Sequence, residues 1–449
     1  MKQKMKVSIV TLGCEKNLVD SEIMLGLVDE NGYEITDDQK NAEVIVVNTC
    51  GFIDASKEES INTILQLAEY KKTAKLKSLV VAGCLSQRYK DELIQEIPEI
   101  DGLVGTGEFD RIVEVINKSL DGKKPIFIGN PIFSYDRKLP RRRSTPSHYA
   151  YIKIAEGCDN SCTFCVIPSL RGKFRSRGIT SIVNEAMDVV AQGVKEISLI
   201  AQDTSYYGID KYDELMLPTL INELSRIDGL YWIRLHYLYP GYITDELIEV
   251  FEKNPKLCKY IDIPLQHSED HILKKMLRPG RQTDIRALIS KLRKRIPDVA
   301  LRTSIIVGFP GETEEDFNNL VEFVKEIKFD RLGVFTYSEE EGTPASRLPN
   351  QVPQEEKERR AQILMEVQRE IANENNSKFI GKELKVLIDR YDEENDVYIG
   401  RTQYDAPEID GEVFVSNIKA NVGDIVTVRI THSYDFDLVG EGISNESAK

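Results

Sequence analysis

Three of the seven cysteines stand within eight residues, Cys158-Asp159-Asn160-Ser161-Cys162-Thr163-Phe164-Cys165. On so short a loop, directly after a predicted strand, three thiolates can wrap three corners of a cubic iron–sulfur cluster, and soft thiolate is the ligand type such iron takes. The loop offers no fourth cysteine, which leaves one iron open to an outside ligand. A structural zinc site is the competing reading, but it is closed by four ligands, and no nearby His or Cys completes a tetrahedron. Cys14, Cys50 and Cys84 form a second set, 36 and 34 residues apart. Each follows a strand-like run at once: VSIVTLG, AEVIVVNT and SLVVAG. In an open parallel sheet the carboxyl ends of neighbouring strands converge on one crevice, and Gly13, Gly51 and Gly83 beside the cysteines leave room for close backbone approach. Three thiols packed in a core is the alternative fate; the repeated strand-end placement favours a second three-cysteine cluster. Cys258, in KLCKY, is left over and is expected to pack.

These residues need a frame. A length of 449 residues suggests about three domains, and three patterns follow one another. Over residues 5–130, short apolar runs (VSIVTLG, AEVIVVNTC, KSLVVAGC) alternate with helical stretches at Asn17 to Asn31, Asp54 to Tyr70 and Gln87 to Ile97. That alternation predicts a doubly wound parallel sheet. Residues 130–148 hold three prolines and the basic run KLPRRR (138–143) with little periodicity, and read as a linker. Over residues 149–376, six strand candidates (YAYIKIAEG, KEISLIAQD, YWIRLHYLYP, YIDIPLQ, ALRTSIIVGFPGE, RLGVFTYS) predict a full or partial β/α barrel, whose sites lie at the carboxyl ends of strands. A charged helix over Gln354 to Asn376 is expected to pack back on it. Over residues 378–445, five short strands predict a small β-barrel. The fold class is α/β with that barrel appended.

The CxxxCxxC spacing with an aromatic before the last cysteine resembles the radical S-adenosylmethionine superfamily. The resemblance implies that S-adenosylmethionine chelates the open iron through its amino and carboxylate groups, and that one-electron reduction cleaves it to a 5′-deoxyadenosyl radical. The order LGCEKNLVDSE, NTCGFIDASKEES, VAGCL, IAEGCDNSCTFCVIP and RGKFRSR resembles the methylthiotransferases from about residue 5 to about residue 443. It implies an N-terminal methylthiotransferase domain, a radical S-adenosylmethionine barrel and a C-terminal TRAM domain, with two [4Fe–4S] clusters. Cys158, Cys162 and Cys165 would hold the radical-generating cluster, and Cys14, Cys50 and Cys84 the one carrying the sulfur to be methylated and transferred. An unactivated C–H has no acidic proton for a base, hence the radical. An electron donor such as a flavodoxin or ferredoxin and a sulfur donor follow as partners.

Within that family, NLVDSE, YDAPEIDG (404–411) and FTYSEEEGTPA (335–345) resemble the branch that modifies a ribosomal protein; the tRNA-modifying branch is the alternative. Charge points the same way. The chain carries −15, and residues 378–449 hold 8 Lys plus Arg against 15 Asp plus Glu. A domain that grips RNA should be basic, because affinity follows phosphates neutralised, whereas an acidic one suits a basic protein. By resemblance, that protein is the twelfth small-subunit ribosomal protein, modified on the β-carbon of an aspartate. The KLPRRR run is expected to be a solvated linker, with ribosomal RNA as its alternative contact.

Composition is that of an ordinary globular protein, 41% hydrophobic and 30% charged. No apolar run approaches 18 residues, which excludes a spanning helix. The apolar stretch before Cys14 is about seven residues, too short for an export signal. Unpaired cysteines then fit a reducing, cytoplasmic setting. Three further positions are candidates for the S-adenosylmethionine pocket. Gly308, in Gly-Phe-Pro-Gly-Glu, ends a barrel strand and either brings backbone against the cofactor or makes the turn before a cap at Thr313. Gln202 ends the LIAQD strand, next to Asp203, which could equally cap the following segment. Phe164 is expected near the adenine or shielding the cluster from water. His236, His267 and His271 are expected to be structural, and no general acid or base is assigned.

Overall fold

The computed structural model describes residues 4–278 and 280–443. Its first unit is a six-stranded parallel sheet with the three expected strands, Lys6–Thr11, Val44–Thr49 and Ser78–Gly83, at its centre. The strands Val44–Thr49 and Ser78–Gly83 are buried at every residue, as a sheet covered on both faces requires. Side-chain alternation sends Val44 and Val46 into one apolar layer and Ile45 and Val47 into the other. Three shorter strands, Glu34–Ile35, Gly102–Val104 and Ile126–Phe127, complete the sheet. They are too brief to show a period in sequence.

Residues 130–148 differ from the expected free linker. The segment is a strap packed across both neighbouring units: Phe133, Tyr135 and His148 are buried. Arg141 ion-pairs with Glu22 on one side and Glu185 on the other, each at 2.5 Å. Glu22, fully buried, also accepts from the backbone N–H groups of Ser144 and Thr145. A buried carboxylate must find such partners, and the basic run supplies them. Arg142 and Lys138 pair with Asp29 and Asp188. The solvated-linker expectation for 138–143 gives way at Arg141, which docks the strap, while Lys138 and Arg142 stay largely exposed.

All six expected barrel strands form. Trp232–Leu235, Glu196–Ile200 and Tyr149–Lys153 make one parallel sheet, and Tyr260–Asp262, Ala300–Val307 and Arg331–Thr336 another. A parallel bridge at Ile233 and Leu257 links the two. Among the described residues no ladder joins the Tyr149–Lys153 and Arg331–Thr336 strands, so the barrel is partial. The helix Gln354–Ser377 packs Leu364 and Ile371 into the barrel's outer core.

The last unit is a closed five-stranded barrel, with all five expected strands in the order Glu383–Asp392, Val397–Arg401, Val413–Ser416, Leu438–Gly442, Ile425–Ser433. It plugs the amino-terminal end of the large barrel's strands. Glu196 accepts from Arg234 at 2.7 Å and from Arg401 of the small barrel. Arg331 pairs with Asp405, Tyr260 donates to Asp410 at 2.7 Å, and His148 meets Asp389 at 2.7 Å. Cys258 packs in this seam with Trp232, Tyr260 and Leu387. The opposite end, where strands finish, is left to the N-terminal unit.

Candidate active site

The three scattered cysteines come together at the carboxyl ends of their strands. Gly13 has φ +87°, and a Cβ built there would lie 2.7 Å from Cys50 Cβ and 3.1 Å from its Sγ. A Cβ on Gly51 would meet Leu85 N at 2.9 Å and Cys84 C at 3.0 Å. Only glycine lets these three turns nest so closely. Asn17, one helical turn beyond Cys14, ties them: its Nδ2 donates to Leu12 O at 2.9 Å and to Thr49 O at 3.0 Å. Cys14 is exposed, Cys50 half-buried and Cys84 buried. Burial pushes the Cys84 thiol up to about 12, with the Arg171 guanidinium opposing the shift.

The contiguous set lies in the loop between Glu156 and the helix Ile167–Arg171. Gly157, at φ +83°, allows that loop to turn against Lys173, whose carbonyl oxygen would sit 2.1 Å from a Cβ. Backbone bonds fix the loop from three sides, Cys158 N to Gly172 O, Thr163 N to Met276 O and Ala345 N to Thr163 O, and Cys165 N to Cys162 O closes a turn within it. Asn160 donates to Asp203 at 3.0 Å, and Asp203 also accepts from the N–H of Tyr206. Asp203 is therefore both a cap and a clamp on the cysteine loop. Arg278 Nη1 lies 3.8 Å from Cys162 Sγ. Burial raises Cys158 to about 11 and Cys165 to about 12; a bound metal would hold both as thiolates.

Both sets fit iron–sulfur clusters better than single ions. One tetrahedral zinc, with Zn–S near 2.3 Å, would draw its sulfurs to within about 3.8 Å of one another. Among the described residues, neither set brings its three sulfurs within 4.8 Å of one another. Beside the contiguous set, Gln202 Oε1, Thr204 Oγ1 and Tyr239 Oη are buried without a hydrogen-bond partner, as expected of a pocket that awaits a polar ligand. Phe164 is half-buried and packs on the Ile272, Met276, Phe309 and Tyr337 cluster. Gly308 has φ +75°, its N–H donates to Glu312 at 2.7 Å, and a Cβ would strike Lys357 Cγ at 2.3 Å. That is the turn role; the cap at Thr313 forms as expected.

The two sets are joined by residues the sequence reading missed. Arg171 ends the short helix that begins two residues after Cys165, and its Nη2 reaches Asn17 Oδ1 at 2.5 Å and Cys84 Sγ at 3.7 Å. Its Nη1 pairs with Asp20 at 3.1 Å and Glu156 at 3.0 Å. Lys153 joins the same pair of carboxylates, and Gln202 donates to Glu156 at 2.6 Å. Burial alone would raise Glu156, but Arg171 and Lys153 hold it well below the usual carboxylate range. The segment 338–341 clamps from another side: buried Glu340 takes Lys57 at 3.0 Å and Arg88 at 2.7 Å, and Arg88 also donates to Gly51 O. Among the histidines, His236 and His267 are buried and His271 is exposed against Asp316; burial lowers His236 to about 4.

Residues 6–105 match the family model described as uncharacterized protein family UPF0004, residues 152–324 the radical SAM superfamily, and residues 380–443 the TRAM domain. Over 443 residues the chain is 53% identical to the ribosomal protein uS12 methylthiotransferase RimO of Geobacter sulfurreducens, covering 98% of this chain and 99% of that one. The chain belongs to the RimO family. A second RimO, from Desulforamulus reducens, is 52% identical over 438 residues, 97% of this chain and 99% of its own. The RimO family thus accounts for the whole length, from the scattered cysteines to the small barrel. A solved radical S-adenosylmethionine methyltransferase, TsrM from Kitasatospora setae, shares the fold at TM-score 0.57 and 14% identity, over 76% of this chain and 74% of that one.

Proposed function

We propose that this enzyme replaces a hydrogen on the β-carbon of an aspartate in ribosomal protein uS12 with a methylthio group. The observation that carries the reading is the meeting of two three-cysteine sets through Arg171, within a chain of the RimO family. We assign Cys158, Cys162 and Cys165 to one [4Fe–4S] cluster and Cys14, Cys50 and Cys84 to the other. When bound, the clusters and S-adenosylmethionine supply the one-electron chemistry, the sulfur and the methyl group. The chain's own residues do the rest. Asn160 and Asp203 hold the contiguous loop, Gln202 and the buried Tyr239 hydroxyl offer polar atoms to S-adenosylmethionine, Phe164 shields the cysteine loop from water, and Gly308 contributes only through the turn it makes before the Thr313 cap. Arg171 and Glu340 lock the N-terminal unit over the barrel mouth, so that sulfur and substrate carbon meet away from water.

The division into a methylthiotransferase unit (5–130), a radical S-adenosylmethionine barrel (149–376) and a TRAM barrel (378–445) belongs to this reading; residues 444 and 445 lie outside the described residues. So do a cytoplasmic setting, a flavodoxin- or ferredoxin-like electron donor, a sulfur donor, and an acidic small barrel that meets the basic substrate. Asp405 and Asp410 face Arg331 and Arg302 of the large barrel, and Asp389 pairs with Arg401 of the small barrel itself, so the acidity offered to a partner comes from the remainder, such as the exposed 393–396 turn. Among the described residues no helix is long and apolar enough to cross a membrane. The test is the mass of uS12 from cells with and without the gene. A methylthio increment on one aspartate, lost in the deletion, is expected; an unchanged uS12 with loss of a methylthiolated tRNA nucleoside would overturn the assignment.

A further inference from the structure

Two residues after Cys14, the Lys16 side chain is 9% exposed and its ammonium lies 2.6 Å from Glu15. The ammonium also stands 3.4 Å above the centroid of the Tyr237 ring. Tyr237 follows the barrel strand Trp232–Leu235 at φ +60°, a left-handed conformation that a tyrosine holds only when its surroundings enforce it. Its backbone N–H is tied to Asp262 at 3.1 Å, and Asp262 is tied to Arg302 at 2.9 Å. Two residues on, buried Tyr239 stacks under Arg278 at 4.2 Å, and Arg278 touches Cys162. The segment Tyr237-Leu238-Tyr239 therefore runs from the neighbourhood of one cysteine set to the other, with Lys16 over its first ring.

The cations around this passage differ in what they have left to give. An ammonium has three donors. Lys153 spends them on Asp20, Tyr135 and Glu156. Arg171 is engaged by Asp20, Glu156 and Asn17, and Arg302 by Asp262 with Asp410 beyond. Among the described residues, Lys16 has one oxygen partner, Glu15, and an aromatic face. A buried ammonium with spare donors, beside an exposed cysteine of the sulfur-carrying set, is equipped to take a carboxylate.

We propose that Lys16 receives the side-chain carboxylate of the substrate aspartate and so makes the enzyme choose a carboxylate over its amide. The proposal rests on the uS12 reading above. Glu15 and the Tyr237 ring aim the ammonium, and a carboxylate docked on it would present its β-carbon, one bond away, to the Cys14 side of the passage. Lys16 is thus a specificity residue, and its action is on substrate rather than on a cluster.

The test compares uS12 with a uS12 variant whose target aspartate is asparagine, using the reconstituted full-length enzyme. Peptide mass spectrometry reads kcat/KM for each, and fluorescence anisotropy of labelled uS12 peptides reads binding. For the wild type we expect a preference for aspartate of roughly 100-fold, the size of a lost buried charge partner. In Lys16→Met the ratio should fall to near one, and Lys16→Arg should restore part of it. Because each enzyme is compared with itself, a general loss of activity cancels, and iron per chain checks that both variants load. A wild type that handles both substrates equally, or a Lys16→Met enzyme that keeps the full preference, would overturn the proposal while leaving methylthiolation intact. A wild type that transfers nothing to uS12 would overturn the functional reading, and this inference with it.

Discussion

The two cysteine sets solve one problem in opposite ways. Cys158, Cys162 and Cys165 share one loop, and its geometry is held mainly by backbone bonds from Gly172, Met276 and Ala345. Cys14, Cys50 and Cys84 come from three strand ends, held by nested glycine turns, the Asn17 amide and a cation from the other unit. The contiguous set is a local structure set on a barrel. The scattered set exists only when the parallel sheet is folded and the barrel is docked against it.

That contrast can be broken most severely at the ligands. Cys162→Ala or Cys84→Ala is expected to abolish transfer to uS12, with iron falling from about eight to about four per chain; iron assay and product mass check both. Arg171→Met separates the sets more finely. It removes one of the two cations that buried Asp20 and Glu156 share, leaving Lys153, at a cost of about 3 kcal/mol. Loss of iron should then appear in a background lacking Cys158, Cys162 and Cys165 and be absent from one lacking Cys14, Cys50 and Cys84, both read by spectroscopy.

A further contrast lies between the two ends of the barrel. Glu196 is buried, which alone would raise it, but Arg234 and Arg401 hold it down to about 2 against an ordinary 4.5. A depressed carboxylate stabilises the folded state above its unfolded pKa and loses that contribution as pH falls towards its folded one. Docking of the small barrel should therefore weaken between pH 4.5 and about 2, by on the order of 3 kcal/mol. Acid unfolding of Glu196→Gln should lack that step. The smallest effects lie in the strap. Arg141→Ala, which removes a cation from buried Glu22, should cost about 2 kcal/mol. Arg142→Ala, at an exposed pair with Asp29, should stay within about 0.5 kcal/mol. Thermal melts of the two variants measure the difference.

The contrast also explains what could be read in advance. Contiguous cysteines declare themselves as a set, and the scattered ones did so because parallel strands bring their carboxyl ends together. Arg171, Asn17 and Lys16 stayed silent because the contacts that place them lie far away in sequence: Arg171 meets Asn17 across 154 positions, Asn17 meets Thr49, and Lys16 stands over the Tyr237 ring. The acidic tail was legible as a charge count but not as a direction, since Asp405 and Asp410 turn inward to Arg331 and Arg302. The basic run at 138–143 misled for the same reason: its partners Glu22 and Glu185 sit on elements that only folding brings beside it.

The most direct test of the account supplies reconstituted enzyme with reductant, a sulfide source, uS12 and S-adenosylmethionine carrying a trideuterated methyl group, followed by peptide mass spectrometry. The account predicts a deuterated methylthio group on one aspartate β-carbon of uS12, absent from Cys84→Ala and Cys162→Ala reactions alike. An unlabelled uS12 beside labelled tRNA, or transfer that survives the loss of either set, would contradict it.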